Sequence, residues 1–77
     1  MKPPHIINKF DTGKINGMVD IIEYKIGLKI PRITGEDQLK NMFEDISKKM
    51  KISLNINVSK NDIYGLNKNF QKIFEVI

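Results

Sequence analysis

Residues 51–58 have the sequence KISLNINV, in which apolar and polar side chains alternate strictly. The apolar set comprises Ile52, Leu54, Ile56 and Val58, and the polar set comprises Ser53, Asn55 and Asn57. A period of two with β-branched residues is typical of a half-buried β-strand. This segment therefore predicts a strand that covers a core with one side and turns Ser53, Asn55 and Asn57 towards water or a partner.

Two amphipathic helices are predicted before this strand. In both, apolar residues recur at i, i+3, i+4, i+7 and i+11, which is the spacing of one helix face. The first covers about residues 13–26, with Asp11 or Thr12 as N-cap and Gly27 as C-cap. The second covers about residues 35–50.

The other helix boundaries are predicted from side chains that can cap a first turn. Thr34, followed by Asp37, resembles a capping box at the beginning of the second helix. Ser59 is expected to cap a third helix, whose apolar stripe continues from Ile63 to Ile77.

Residues 5–10 and 28–33 are expected to be short outer strands. Pro31 has no amide donor, so the second of these segments is restricted to a sheet edge. Amphipathic helices need a surface to cover, and a small sheet provides one. We therefore predict an α+β fold of three amphipathic helices packed on a two- or three-stranded sheet, with a small all-α bundle as the alternative.

The composition is dominated by 14 Ile, 12 Lys and 8 Asn among 77 residues, without Ala, Cys or Trp. This bias is typical of a gene poor in G and C, so the formal net charge of +4 is weak evidence for function. The length predicts a single domain over residues 1–77, with residues 1–4 as a flexible N-terminus. The sequence has no run of about 18 apolar residues that could span a membrane. Its first residues lack the apolar region of a secretory signal, so a cytoplasmic protein with no membrane partner is expected.

Positive charge is concentrated in residues 1–33, which contain six basic and three acidic side chains. Lys25, Lys29 and Arg32 surround the Gly27 turn, and no acidic residue follows Lys25 or Lys29 at helical spacing. The guanidinium of Arg32 can bind a phosphate or carboxylate through two parallel hydrogen bonds. We therefore predict a contact patch for an acidic partner at Lys25, Lys29 and Arg32.

A second basic cluster, Lys48, Lys49 and Lys51, ends the second helix. It is preceded by acidic residues in the favourable i, i+4 order. These pairs are Glu36–Lys40, Glu44–Lys48 and Asp45–Lys49. The cluster is therefore interpreted as a solvated helix face.

Few residues are suited to catalysis. His5 is the one histidine and lies near the terminus, and the three serines have no base nearby. The absence of Cys excludes disulfides and thiolate metal sites, and a single His argues against zinc. We expect no enzymatic activity, no cofactor and no metal.

The leading functional hypothesis is a small non-catalytic binding or regulatory module that docks on a protein partner, either as a monomer or as a homodimer. Its predicted partner-binding residues are Lys25, Lys29, Arg32, Ser53, Asn55 and Asn57. The alternative is nucleic-acid binding, through the same basic patch or through a helix-turn-helix near residues 44–64. Residues 46–53, ISKKMKIS, resemble the first helix and turn of that motif, although positions 57 and 60 are polar.

A remote alternative rests on apolar pattern. Residues 18–28, followed by Ile33 and Thr34, resemble the first helix and following loop of acyl carrier proteins, and residues 52–77 resemble their last two helices. The Asp-Ser-Leu prosthetic-group motif of that family is missing, and carrier proteins are acidic whereas this chain is basic. The resemblance therefore implies a degenerate acyl-carrier-like domain without a prosthetic group.

Overall fold

The computed structural model describes residues 1–77 and contains three helices and no β-strand. The helices are α1 (Thr12–Ile26), α2 (Glu36–Met50) and α3 (Ile63–Val76). The predicted α+β fold is therefore wrong, and the all-α bundle given as its alternative describes the molecule. The segments predicted as strands have no strand pairing: residues 5–10 precede α1, and residues 28–33 and 51–58 lie in the connections between helices.

The first helix begins and ends as its sequence predicts. The carboxylate of Asp11 accepts a hydrogen bond from the backbone N–H of Lys14 at 3.1 Å. Gly27 ends α1 in the left-handed conformation, with φ of 68°, and its N–H donates to the carbonyl of Glu23. Both caps therefore satisfy backbone groups that a helix end leaves unpaired.

The predicted caps of the other helices are wrong. Gly35, not Thr34, precedes α2, and it makes no side-chain capping bond. Asp62, not Ser59, caps α3 by accepting a hydrogen bond from the N–H of Gly65 at 2.9 Å. The hydroxyl of Ser59 accepts from the N–H of Asn61 instead, in a turn that comes before the helix.

The core is built from all three helices and from the segments that connect them. The helices contribute Ile15, Met18, Val19, Ile22, Leu39, Met42, Phe43, Ile46, Leu66, Phe70, Ile73 and Phe74. The non-helical segments contribute Ile7, Ile30, Ile33 and Val58. The rings of Phe43 and Phe70 meet edge to face, with centroids 5.3 Å apart. Each connecting segment therefore has a buried apolar side, although none belongs to a sheet.

Three asparagine side chains fix these segments to the helices. Each uses its Oδ1 to accept from the backbone N–H of one loop residue and its Nδ2 to donate to the carbonyl of the same residue. The pairs are Asn16 with Ile33 (2.9 and 2.9 Å), Asn67 with Ile7 (3.0 and 2.7 Å) and Asn69 with Asn55 (3.0 and 2.8 Å). We call this arrangement a carboxamide clamp.

The clamps explain why alternation did not produce strands. In residues 51–58, the backbone of Asn55 is paired with a helix side chain where a strand would need a neighbouring strand. The N–H of Asn57 then donates to Oδ1 of Asn55, which forms a local turn. The alternation thus reflects burial of Val58 and partial burial of Ile52 and Leu54 against the helices, and Ile56 remains 37% exposed.

Two glutamates on the helices also hold connecting segments, each by accepting one hydrogen bond from a backbone N–H. Glu23 accepts from the N–H of Ile30 at 2.6 Å, and Glu36 accepts from the N–H of Lys60 at 2.7 Å. The hydrogen bond from the Lys60 backbone, followed by the charge of Lys40 at 3.5 Å, holds the pKa of Glu36 below its ordinary value. Each of these two carboxylates therefore holds one connecting segment against a helix.

The clamp at Asn69 gives a first prediction. Asn69 is 2% exposed and is the one buried polar residue, so Asn69→Asp removes a donor from the carbonyl of Asn55 and buries a carboxylate. We expect the free energy of unfolding in urea to fall by about 2 kcal/mol. Asn41→Asp makes the same chemical change on the exposed face of α2 and should stay within about 0.5 kcal/mol of wild type. Equal losses in both variants would contradict the clamp.

The left-handed helix ends give a second prediction. Lys51 ends α2 with φ of 56° and is the one non-glycine residue at positive φ. Lys51→Gly should raise the free energy of unfolding by about 1 kcal/mol, because glycine has no Cβ to strain there. Gly27→Ala, at φ of 68°, should lower it by a similar amount, about 1 kcal/mol. Denaturant titration of both variants measures the effect, and a less stable Lys51→Gly would contradict it.

The carboxylate of Glu36 gives a prediction on pH. Since its folded-state pKa is lowered, its stabilising contribution is present at neutral pH and is lost as the pH falls through that pKa. Glu36→Gln should therefore be less stable than wild type at pH 7, and the difference should disappear by about pH 2. Urea unfolding across this range measures it; a difference that is independent of pH would show that ionisation plays no part.

Candidate docking surface

The chain reverses direction at the end of α1 and returns along the same helix. The left-handed conformation of Gly27 makes the turn, and the returning residues are then held one after another. Ile30 is bound by Glu23, and Ile33 is bound by the carboxamide clamp of Asn16, nearer the beginning of the helix. Residues 28–33 therefore lie antiparallel to α1 and place their exposed side chains beside it.

This reversal gives Arg32 an acidic partner. Its guanidinium forms an ion pair with Asp20 and lies 3.9 Å from the carboxylate of Glu23. Both acids precede Arg32 in the chain, by 12 and 9 residues, so helical spacing does not relate them to it. The positive charge of Arg32 is thus compensated within the chain.

Lys25 and Lys29 remain unpaired. Both are exposed, and neither ammonium group lies within 4.0 Å of a carboxylate. Tyr24, which directly precedes Lys25 in the chain, is 86% exposed, the highest exposure of any large apolar side chain in the molecule. A shallow depression of about 310 Å³ is lined here by Glu23, Tyr24, Gly27, Leu28 and Lys29. We refer to Tyr24, Lys25, Leu28 and Lys29 as the docking surface.

The acid that lines the depression is already engaged. The carboxylate of Glu23 accepts from the N–H of Ile30 and lies near Arg32. Its nearest cationic partner is therefore Arg32, and neither Lys25 nor Lys29 comes within 4.0 Å of it. The docking surface combines one aromatic side chain and two uncompensated ammonium groups.

The other predicted site residues lie in the connection between α2 and α3. Ser53, Asn55 and Asn57 are all exposed, but they do not form the polar face of a sheet. The carbonyl of Ser53 accepts from Nζ of Lys72, and Asn55 is held by Asn69. No hydrogen bond, ion pair or cavity joins these three residues to Lys25, Lys29 and Arg32.

The region proposed for a helix-turn-helix has a different geometry. Residues 51–62 separate α2 from α3, whereas that motif joins its helices by a turn of three or four residues. On α2, the ion pairs Glu36–Lys40 and Glu44–Lys48 form at 3.5 Å, and Asp45–Lys49 does not come within 4.0 Å. The basic end of α2 is therefore only partly neutralised by its own helix.

Comparison with protein-family models, with curated proteins and with solved structures gives no significant match. None of the three helices has the length and apolar character needed to cross a membrane. No group of three or more His, Asp or Glu side chains is close enough to hold a metal ion. The case for function therefore depends on the chemistry of the surface itself.

Sequence reasoning could have found one of the missed features. Tyr24 lies off the apolar stripe of α1, which runs through Ile22 and Ile26, so helical spacing alone predicts that its ring faces water. The pairing of Arg32 with Asp20 depends on the chain reversal, and no local spacing indicates it.

Proposed function

We propose that this protein is a non-catalytic binding module that docks on an acidic segment of a partner protein in the cytoplasm. The observation that carries the proposal is the 86% exposure of Tyr24, which adjoins the unpaired Lys25 in the chain and lines one depression with the unpaired Lys29. The docking surface contains Lys25 and Lys29 of the predicted patch, together with Tyr24 and Leu28. Arg32 is not part of it, because its guanidinium is paired with Asp20.

Tyrosine suits the role of an anchor for a partner protein. It offers a large apolar area at low conformational entropy, together with a hydroxyl that can hydrogen-bond, and it is enriched among residues that dominate interface energies. Tyr24 is 86% exposed in the isolated chain, so most of its surface is available for burial on binding. The shallow depression beside it can receive one apolar side chain of the partner.

The two lysines define the charge of the partner. Ammonium groups at the edge of an interface attract acidic segments and increase the association rate, an effect that salt screens. Because neither Lys25 nor Lys29 is paired within the chain, both charges remain available to such a segment.

A protein partner is favoured over nucleic acid because the local positive charge is small. Counting Lys25, Lys29 and Arg32 against Asp20 and Glu23 leaves three positive and two negative groups, a net charge of +1. Nucleic-acid binding depends on neutralising several phosphates at once. A symmetric homodimer through this surface is also disfavoured, because it would bring the same positively charged patch of both copies together.

Binding of defined probes tests the proposal. One probe is a fluorescent peptide of Asp and Glu around a single Leu, and the other is a single-stranded oligonucleotide of the same net charge. Fluorescence anisotropy should show binding of the peptide at physiological salt, weakened at least about tenfold by Lys25→Glu with Lys29→Glu. Tyr24→Ala should weaken peptide binding without altering its dependence on salt, since the ring carries no charge.

The matched control is Lys49→Glu with Lys51→Glu. Lys49 and Lys51 are exposed at the C-terminal end of α2, and Lys25 and Lys29 are exposed at the C-terminal end of α1. Both double variants therefore change the net charge by the same amount at equivalent positions. Peptide affinity should remain within about twofold of wild type in the control. Equal weakening in both double variants, or tighter binding of the oligonucleotide than of the peptide, would overturn the proposal.

A further inference from the structure

One asparagine of the eight, Asn16, is followed by glycine. Glycine has no Cβ, so its backbone nitrogen can approach the side-chain carbonyl of the preceding residue closely. Asn16 is also the residue whose carboxamide clamp holds Ile33. The chemically most reactive asparagine of the chain is thus one on which the fold depends.

We propose that Asn16 is a site of spontaneous deamidation that operates when the α1 region is unfolded and is blocked in the native chain. Hydroxide removes the proton of the Gly17 amide, and that nitrogen attacks Cγ of Asn16. The new N–Cγ bond forms as the Cγ–Nδ2 bond breaks, and Nδ2 leaves as ammonia after taking a proton from water. Water then opens either carbonyl of the succinimide ring to give aspartate or isoaspartate, so one water is consumed for each ammonia released.

The native geometry prevents the attack in two ways. Both polar atoms of the Asn16 carboxamide are held at 2.9 Å by the backbone of Ile33. Gly17 lies inside α1, where the helical conformation directs its amide along the helix axis and away from the Asn16 side chain. Reaction therefore requires both the clamp and the surrounding helical turns to open, and its rate follows the population of the opened state.

The modification then prevents the clamp from forming again. Aspartate lacks Nδ2, so the carbonyl of Ile33 loses its donor, and the remaining oxygens can only accept. Isoaspartate adds a carbon to the main chain and interrupts the hydrogen-bond pattern of α1. A molecule deamidated at Asn16 therefore unfolds more easily. The fraction of molecules modified at residue 16 increases with the time that the chain has spent unfolded.

The experiment compares purified wild-type chain at mildly alkaline pH in native buffer and in concentrated urea. Mass spectrometry of proteolytic peptides follows the conversion of each asparagine to aspartate or isoaspartate over time. Modification should concentrate at Asn16 and should be at least about tenfold faster in urea than in native buffer. Native and denatured rates that agree, or faster reaction at another asparagine in urea, would overturn the proposal.

Two further samples test the mechanism and its consequence. Gly17→Ala should still fold, because its Cβ would lie 3.5 Å from Nε2 of His5 in ordinary contact, and alanine favours helix. In urea, this variant should lower the rate at Asn16 to that of the other asparagines. Wild-type chain deamidated at Asn16 should be less stable to urea than unmodified chain. An unchanged rate in the variant or an unchanged stability in the modified chain would overturn the proposal.

Discussion

The double hydrogen bond between an asparagine carboxamide and the backbone of one loop residue is the interaction on which this structure depends. A carboxamide presents an acceptor and a donor side by side, so it satisfies one residue's N–H and C=O much as a neighbouring strand would. Asn16, Asn67 and Asn69 do this for three non-helical segments that pack apolar residues against the core. The fold can therefore bury these segments without a sheet, because their polar backbone groups remain paired.

The helices could be predicted from sequence because their determinants are local. The stripe in α1, the Asp11 cap and the Gly27 turn each depend on residues a few positions apart. The sheet could not be excluded in the same way. Alternation in residues 51–58 indicates which side chains are buried, but it does not reveal what pairs with the backbone. The partner of Asn55 is 14 residues away on α3, and that of Ile33 is 17 residues away on α1.

In the candidate site, too, the features set by local sequence could be predicted and those set by distant contacts could not. Lys25 and Lys29 could be identified from charge, and the exposure of Tyr24 follows from its place off the apolar stripe. The compensation of Arg32 by Asp20 could not, since it requires the reversal at Gly27. Asn content was likewise interpreted as a genomic bias. Three of the eight asparagines nevertheless hold non-helical segments against the helices, and one of them, Asn69, is buried. Residues that are abundant through a bias in composition thus make specific structural contacts.

The position of two clamps on α3 has a consequence for the order in which the molecule is made. Asn67 and Asn69 are about 200° apart around the helix, so they hold segments on opposite flanks of it. One of those segments contains Ile7, 60 residues earlier in the chain. During synthesis on the ribosome, the segment that contains Ile7 cannot form its hydrogen bonds with Asn67 until α3 has been synthesised. Closure of the fold is thus a late event, governed by contacts of long sequence separation even though every regular element is a helix.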